Sequence, residues 1–418
     1  MMSRDWDEVT WGFQSSRRDL ESGMLGIFQT GSDEELLERY QARASFGESV
    51  YLPTPFMETA LLLAGSWQRR PIADVHARGL GARMWASLTD NLRVPLAAER
   101  SPSRPLRLRI ATTESGVDEI PWEWLTPAST PLALQPGFRV VRSVPVPYPE
   151  PPLTVAPPLR VLLLTTNPKD ERLLDSYREV QAINQGLQGG GYQVTVMDGT
   201  TRDALYRGLA LEPHIVHYVG HSAVGQGVGY LILHDERDGS FWLPASGLAK
   251  MLPPSVRLLC LSTCFTQPNY NVSGLPRFGH APADLHLPTT IVNQYAVTEE
   301  GAKTFWKRFY PNLLQNGDVV EAVQAARADV AQAVPGQADW ASFSLILRDG
   351  VGQSFRMSPQ AVRDESRFAA ELQAQFSARL ANELAMRVSE LGVNASDSIL
   401  KGHSEAQADW ANLRKQIE

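Results

Sequence analysis

The sequence predicts an α/β fold in which a mostly parallel sheet is flanked by helices, and three observations support it. Beyond residue 158 the chain alternates between strand and helix patterns, as βαβ units do. The run LRVLLLTTN at 159–167 is typical of a strand buried on both faces. A shorter region before residue 145 repeats the alternation, so we expect a second, smaller α/β half.

The region 159–350 carries the clearest pattern. Gly189 to Gly191 end its first helix, and Thr200 or Thr201 caps the second. Its predicted elements are, in order, strand 159–167, helix 171–188, strand 192–197, a short helix, strand 214–221, a hairpin within 230–243, helix 244–252, strands 256–263 and 289–297, helices 299–315 and 318–333, and strand 343–347.

Seven prolines within 145–158 disfavour both helix and central strand, so this stretch is interpreted as a semi-rigid linker. Before it lie the predicted helix 76–89, strand 106–112, segment PWEWL at 121–125 and strand 138–144.

The predicted domains are therefore a helical segment at 1–55, an α/β half at 56–144, the linker at 145–158, the main α/β domain at 159–350 and a helical extension at 351–418. In that extension an apolar residue recurs every fourth position, which predicts a helix with one apolar stripe. The stripe is formed by Phe368, Leu372, Phe376, Leu380 and Leu384.

Composition excludes several classes of function. The net charge of −7 makes nucleic acid a poor first expectation as a partner. No run approaches 18 apolar residues, and Arg4, Asp5, Asp7 and Glu8 stand where a secretory signal needs an apolar core. We therefore expect a cytoplasmic protein that does not bind a membrane.

Two residues follow neighbouring predicted strands at the end where α/β sheets gather reacting groups. His221 comes at the end of the third strand, and Cys264 directly after the fourth. An imidazole beside a thiol can take its proton and later protonate a leaving amine, which is the chemistry of a cysteine peptidase. The backbone N–H groups of Ser222 and Cys264 are the predicted oxyanion donors.

Other interpretations of these residues are weaker. Cys260 fits a small buried core residue, and strand spacing holds it too far from Cys264 for a disulfide. The same spacing argues against zinc at His217/His221 and Cys260/Cys264. The glycine-rich SAVGQGVG lacks a phosphate-loop pattern and is expected to be a mobile loop beside the cleft. No cofactor and no metal are implied.

Three carboxylates are candidates for a substrate pocket. Asp235 and Asp238 lie in the predicted hairpin turn, where a solvated tip is the simpler interpretation. Asp284 lies in the irregular stretch 265–288.

With these residues in place, the sequence resembles the CHAT family, caspase-like proteins grouped with caspases, separases and gingipains. IVHYVGHS is similar to the family's His-x-x-Gly-His-Gly element, with Ser222 in place of the final glycine, and LLCLSTC is similar to its Leu-Ser-Ala-Cys element. The segments LRLRIATTESGVDEIPWEWL, FWKRFYPNLLQNGDVVEAVQAAR and DWASFSLIL extend the resemblance over roughly 76–350.

The resemblance implies a caspase-like fold, His221 and Cys264 as catalytic residues, and cleavage of a specific protein. It also implies activation or inhibition by a protein partner, in a prokaryotic defence or regulated cell-death pathway. We expect 1–50 or 360–390 to receive that partner. The alternatives are a catalytically silent caspase-like interaction scaffold and a small-molecule- or nucleotide-responsive α/β module with the cysteine buried.

Overall fold

The structure is a computed structural model. It describes residues 7–14, 26–30, 50–51, 71–88, 93, 96, 101–112, 120–144, 146, 150–171, 177–188, 191–225, 228–265, 287–348, 353–358, 378, 381, 384–385, 388 and 397–417.

The strands of this part of the chain are β1 Asp7–Gln14, β2 Gly26–Thr30, β3 Val50–Tyr51, β4 Leu106–Thr112, β5 Phe138–Ser143, β6 Leu153–Val155, β7 Leu159–Thr165, β8 Tyr192–Met197, β9 Ile215–Gly225, β10 Val228–His234, β11 Ser240–Pro244, β12 Leu258–Phe265, β13 Thr289–Asn293, β14 Phe343–Leu347 and β15 Phe355–Met357.

The helices are α1 Asp74–Ser87, α2 Tyr177–Gly186, α3 Arg202–Leu209, α4 Ala245–Met251, α5 Glu299–Asn316, α6 Val319–Ala333, α7 Asp339–Ser342 and α8 Asp397–Ile417. The segments Trp122–Trp124 and Leu132–Leu134 are 3-10 turns.

Thirteen of these strands form one sheet. Its order is β8-β7-β9-β12-β13-β14-β5-β4-β1-β2-β3, and the β10–β11 hairpin joins β9 beyond the point where β7 ends. The pairs β7–β8, β7–β9, β9–β12, β12–β13, β14–β5, β4–β5 and β1–β4 are parallel. The predicted mostly parallel α/β sheet is therefore confirmed.

Helices cover both faces of the main half of the sheet. Helices α2, α5 and α6 lie against the larger core, which includes Ile215, Cys260 and Trp306. Helices α3 and α4 lie against the opposite face, which includes Val216 and Leu261.

Helix termini follow the capping chemistry of the sequence. Thr201 caps α3, as predicted, because its side chain accepts a hydrogen bond from the Ala204 N–H. The Asp318 carboxylate accepts from Val320 N at 2.8 Å and begins α6 directly after α5 has ended at Gly317, whose φ is 73°. Gly317 and Asp318 thus fix the turn between α5 and α6.

A buried carboxylate joins the two halves of the chain. Glu123, in the segment Pro121-Trp122-Glu123, accepts hydrogen bonds from Arg142 of β5 at 2.9 Å, Arg327 of α6 at 3.3 Å and Ser344 of β14 at 3.2 Å. All four side chains are at most 2% exposed. Since β14 and β5 are also paired, the N-terminal half continues the sheet of the main half rather than forming a separate layer.

The proline-rich linker is held at two points. Its Glu150 accepts hydrogen bonds from Arg257, at the start of β12, and from Arg348, after β14. Its residues 153–155 form β6, which pairs with β15 in a separate two-stranded sheet. The linker is therefore anchored to the body of the protein.

The predicted helical segment at 1–55 is wrong where the structure describes it, because those residues form β1, β2 and β3. Val9, Trp11 and Phe13 alternate with smaller or polar residues, which is the period of a strand and not of a helix.

The helical extension at 351–418 begins with a strand, β15, and ends with helix α8. Most of its predicted apolar stripe lies outside the described residues. Among the helices that are described, none combines the length and the apolar character needed to cross a bilayer.

We expect Glu123→Gln to destabilise the protein by about 3–5 kcal/mol, because two buried arginines lose their countercharge. The matched control is Glu321→Gln, which removes the partner of Arg139 where the carboxylate is 34% exposed, and its expected cost is below about 1 kcal/mol. Urea denaturation of both variants measures the difference. Equal losses would contradict a central role for Glu123.

Candidate active site

The two predicted catalytic residues lie opposite each other in the sheet. Strands β9 and β12 are parallel neighbours, and their register pairs His221 with Cys264. Neighbouring strands are about 4.8 Å apart, and paired positions share one face of the sheet. The structure therefore brings the two positions together, within their strands rather than after them.

The pair that lies four residues earlier on the same two strands belongs to the core. His217 is paired with Cys260, and both side chains are fully buried. Burial raises the pKa of the Cys260 thiol well above its ordinary value, so it stays protonated at neutral pH. Cys260 has the predicted structural role.

Gly220 allows a close backbone approach directly before His221. A Cβ at this position would lie 2.1 Å from Thr166 Oγ1 and 2.6 Å from the Tyr218 hydroxyl. That hydroxyl in turn lies 2.7 Å from the His221 carbonyl oxygen and 2.8 Å from that of Ile232. Gly220 and Tyr218 thus fix the His221 backbone where β10 takes the place of β7 beside β9.

His221 is closed off from solvent. Its side chain is 0% exposed, and burial, together with the nearby His234, lowers its pKa from 6.5 to about 4. The imidazole is therefore neutral at pH 7, the state in which it can accept a proton.

Asn167, which the sequence did not single out, lies against His221. Its Oδ1 is 3.4 Å from His221 Nε2, and its backbone N–H donates to His234 Nε2 at 2.9 Å. His234 Nδ1 is 2.6 Å from Asp238, which also pairs with Lys169 at 2.7 Å. Lys169 and His234 hold the pKa of Asp238 below its ordinary value. The signal in the sequence that could have indicated Asn167 is its position as a polar residue at the end of the predicted strand 159–167, the first strand of the main α/β domain.

A second cluster of polar side chains surrounds His217, four residues before His221 on the same strand. His217 Nδ1 is 2.5 Å from the Tyr310 hydroxyl, and His217 Nε2 is 3.3 Å from Ser262 Oγ. Glu179 of α2 accepts a hydrogen bond from Trp306 Nε1 at 3.3 Å, and burial raises the pKa of this carboxyl. These side chains lock the position of β12 against helices α2 and α5.

The predicted oxyanion donor Ser222 lies inside β9, paired with Phe265 on one side and Leu231 on the other. N–H groups of such a strand point along the sheet toward its neighbours. The oxyanion role of Ser222 and Cys264 remains a prediction. The Gly-rich loop expected after His221 is instead the start of a hairpin, because β9 runs on to Gly225 and β10 begins at Val228.

The predicted substrate-pocket residues are placed as follows. The Asp235 side chain accepts from the N–H groups of Arg237 and Gly239, both at 2.7 Å, and so shapes the β10–β11 turn. Asp238 faces His234 and Lys169. Asp284 lies outside the described residues. Within the described part of the chain, no three His, Cys, Asp or Glu side chains are arranged to hold a metal ion.

A mostly parallel sheet with a histidine and a cysteine paired near the carboxyl ends of adjacent strands defines an α/β protein with a Cys/His site. The family model of the CHAT domain matches residues 77–349, which is more than half of the 418-residue chain. The chain therefore belongs to the CHAT family, and the resemblance found in the sequence is confirmed.

Solved structures are also similar to this chain. One is the Arg-specific cysteine proteinase gingipain R, with 11% identity, a TM-score of 0.41 and coverage of 65% of this chain and 70% of that chain. A complex of the pro- and mature domains of RgpB from Porphyromonas gingivalis has 10% identity and a TM-score of 0.41, with coverage of 65% of this chain and 72% of that chain. The separase–securin complex of Saccharomyces cerevisiae has 10% identity and a TM-score of 0.39, with coverage of 85% of this chain and 30% of that chain. Comparison with curated protein sequences gives no match.

His217 should make the stability depend on pH. Burial lowers its pKa from 6.5 to about 3, so the folded state resists a proton that the unfolded state accepts. Stability from this group is complete above pH 6.5 and is lost as the pH falls toward 3, by roughly 1 kcal/mol per pH unit.

The test compares urea unfolding at pH 7 and pH 5. His217→Gln should lose less unfolding free energy over this interval than the wild type, whereas His76→Gln, at an exposed position of α1, should lose as much as the wild type. If the wild type and His217→Gln lose the same unfolding free energy between pH 7 and pH 5, His217 is not the group that makes the stability depend on pH.

Proposed function

We propose that the protein is a cysteine endopeptidase of the CHAT type that cleaves a specific protein target, with Cys264 as nucleophile and His221 as general base. The observation that carries the proposal is the register that pairs these two positions on adjacent strands. Membership of the CHAT family supports it.

The proposed chemistry uses the thiol, the imidazole and a water molecule, with the backbone N–H groups of Ser222 and Cys264 as the proposed oxyanion donors. His221 takes the thiol proton, and the thiolate attacks the scissile carbonyl carbon. The tetrahedral intermediate collapses as the imidazolium gives its proton to the leaving amine, and a thioester forms. Water, deprotonated by His221, then hydrolyses the thioester, which releases the new carboxyl terminus and regenerates the thiol.

Activation by a partner protein is part of the proposal. Since His221 has no exposed surface, the proposal includes a step that opens the site to a substrate. A partner that binds the open state more tightly would shift the equilibrium toward it. The proposed setting is a prokaryotic defence or cell-death pathway. The proposed compartment is the cytoplasm, whose reducing conditions suit a reactive thiol.

A catalytically silent interaction scaffold is the second candidate. The burial of His221 and its lowered pKa favour it, because both disfavour the imidazolium that would stabilise a thiolate. The two candidates differ in whether Cys264 becomes reactive when the site opens.

We expect Cys264→Ala to abolish cleavage of the target, and His221→Ala to lower the rate by roughly 10²- to 10⁴-fold. The wild type and both variants are incubated with the proteins encoded beside it, and new termini are identified by mass spectrometry. Cleavage by Cys264→Ala at the wild-type rate would exclude this mechanism.

Alkylation by iodoacetamide separates the peptidase from the scaffold. If the protein is a peptidase, an activating protein that is encoded beside it should raise the alkylation rate of Cys264. His221→Ala should remove this increase. Cys260 is the internal control, because it is fully buried and its thiol is held protonated. If Cys264 reacts no faster than Cys260 with every neighbouring protein, the scaffold is favoured.

A further inference from the structure

We propose that Asn167 is a positioning residue for His221 and that the β10–β11 hairpin holds Asn167 in place through His234. The inference rests on the proposed function, because it assigns Asn167 the task of orienting the general base. It adds a third residue to the Cys/His pair and gives the hairpin a part in the reaction.

The first step is the contact between the two side chains. Asn167 Oδ1 lies 3.4 Å from His221 Nε2. Thr166, the preceding residue, donates its N–H to the Val219 carbonyl at 3.0 Å, which ties the end of β7 to β9 just below His221. The Asn167 contact is long for a hydrogen bond, as such contacts commonly are before substrate binds and tightens them.

The second step is the proton position that this contact selects. When the Nε2–H of His221 donates to Asn167, the other ring nitrogen, Nδ1, carries a lone pair and can accept the thiol proton. A carboxamide is a neutral acceptor, so it orients the ring without burying a further charge beside it. Asn167 therefore selects both the tautomer and the orientation of the base.

The third step is the support of Asn167 itself. Its N–H donates to His234 Nε2 at 2.9 Å, so the proton of the His234 ring lies on Nδ1 and is donated to Asp238 at 2.6 Å. Lys169 closes the arrangement, because its N–H donates to the Asp238 carbonyl at 3.1 Å and its ammonium pairs with the Asp238 carboxylate. The hairpin turn thereby fixes the backbone of Asn167.

Anchoring of the loop does not depend on the Asn167 side chain. Asp170, in the same loop, accepts hydrogen bonds from Ser240 of β11 through its N–H at 3.0 Å and its hydroxyl at 2.6 Å. This contact fastens the loop to the hairpin. The Asn167 side chain makes a separate contact, with His221, and Asp170 supplies a matched control.

We expect Asn167→Leu to lower kcat by roughly 10- to 100-fold with KM changed by less than about twofold, because a misoriented base slows the chemical step. His234→Leu should lower kcat in the same direction, whereas His234→Gln, which can still accept from the Asn167 N–H, should retain most of it. Asp170→Asn should match the wild type. Equal effects of Asn167→Leu and Asp170→Asn would overturn the proposal.

A spectroscopic measurement tests the inference independently of cleavage. Ring-nitrogen NMR of the full chain with ¹⁵N-labelled histidine should show His221 as the Nε2–H tautomer. Asn167→Leu should remove that preference, and Asn167→Asp should raise the pKa of His221 because a carboxylate replaces the amide.

These readouts separate the two possible failures. If Cys264→Ala abolishes cleavage but Asn167→Leu changes neither kcat nor the tautomer, the positioning role is wrong and the peptidase stands. If no cleavage depends on Cys264 but the tautomer still shifts in Asn167→Leu, the peptidase is wrong and the positioning contact stands.

Discussion

The parallel register of β9 and β12 is the constraint on which the site depends. Each strand is buried on both faces, with Ile215 and Cys260 toward one core and Val216 and Leu261 toward the other. A slip of one residue would carry His217 out of its polar contacts and exchange the two sets of apolar side chains. Core packing of the two strands therefore fixes the register in which position 221 is paired with position 264.

The N-terminal half supports this arrangement through charge as well as through pairing. Glu123 lies between two arginines from different halves, so the halves cannot separate without exposing or orphaning buried charges. The Pro-Trp-Glu segment, which in the sequence was only part of a resemblance, thus has a physical reason for its glutamate. The same contact places α6 against β14 and β5.

Much of the fold could be predicted from local sequence patterns. A run of a few residues is enough to predict strands such as β7 and β8 and capped helices such as α3. The strand at 7–14 was missed although its apolar residues alternate, since charged neighbours obscured the pattern. The contact of Asn167 with His221 could not be predicted, because the two residues are 54 positions apart in the sequence. The continuation of β9 past His221 was missed because its glycine-rich composition is typical of a loop, whereas pairing with β10 makes it a strand.

The strand pairing and the Glu123 contacts between the two halves of the chain do not involve the linker. A protease that cut the backbone between residues 145 and 149 would divide the polypeptide into two fragments that stay together, because the β14–β5 pairing and the contacts of Glu123 with Arg327 and Ser344 connect them. Such a nicked form would elute from a sizing column with the intact protein and be revealed only on a denaturing gel. Maturation by a single cut in the linker would thus leave its mass in native conditions unaltered.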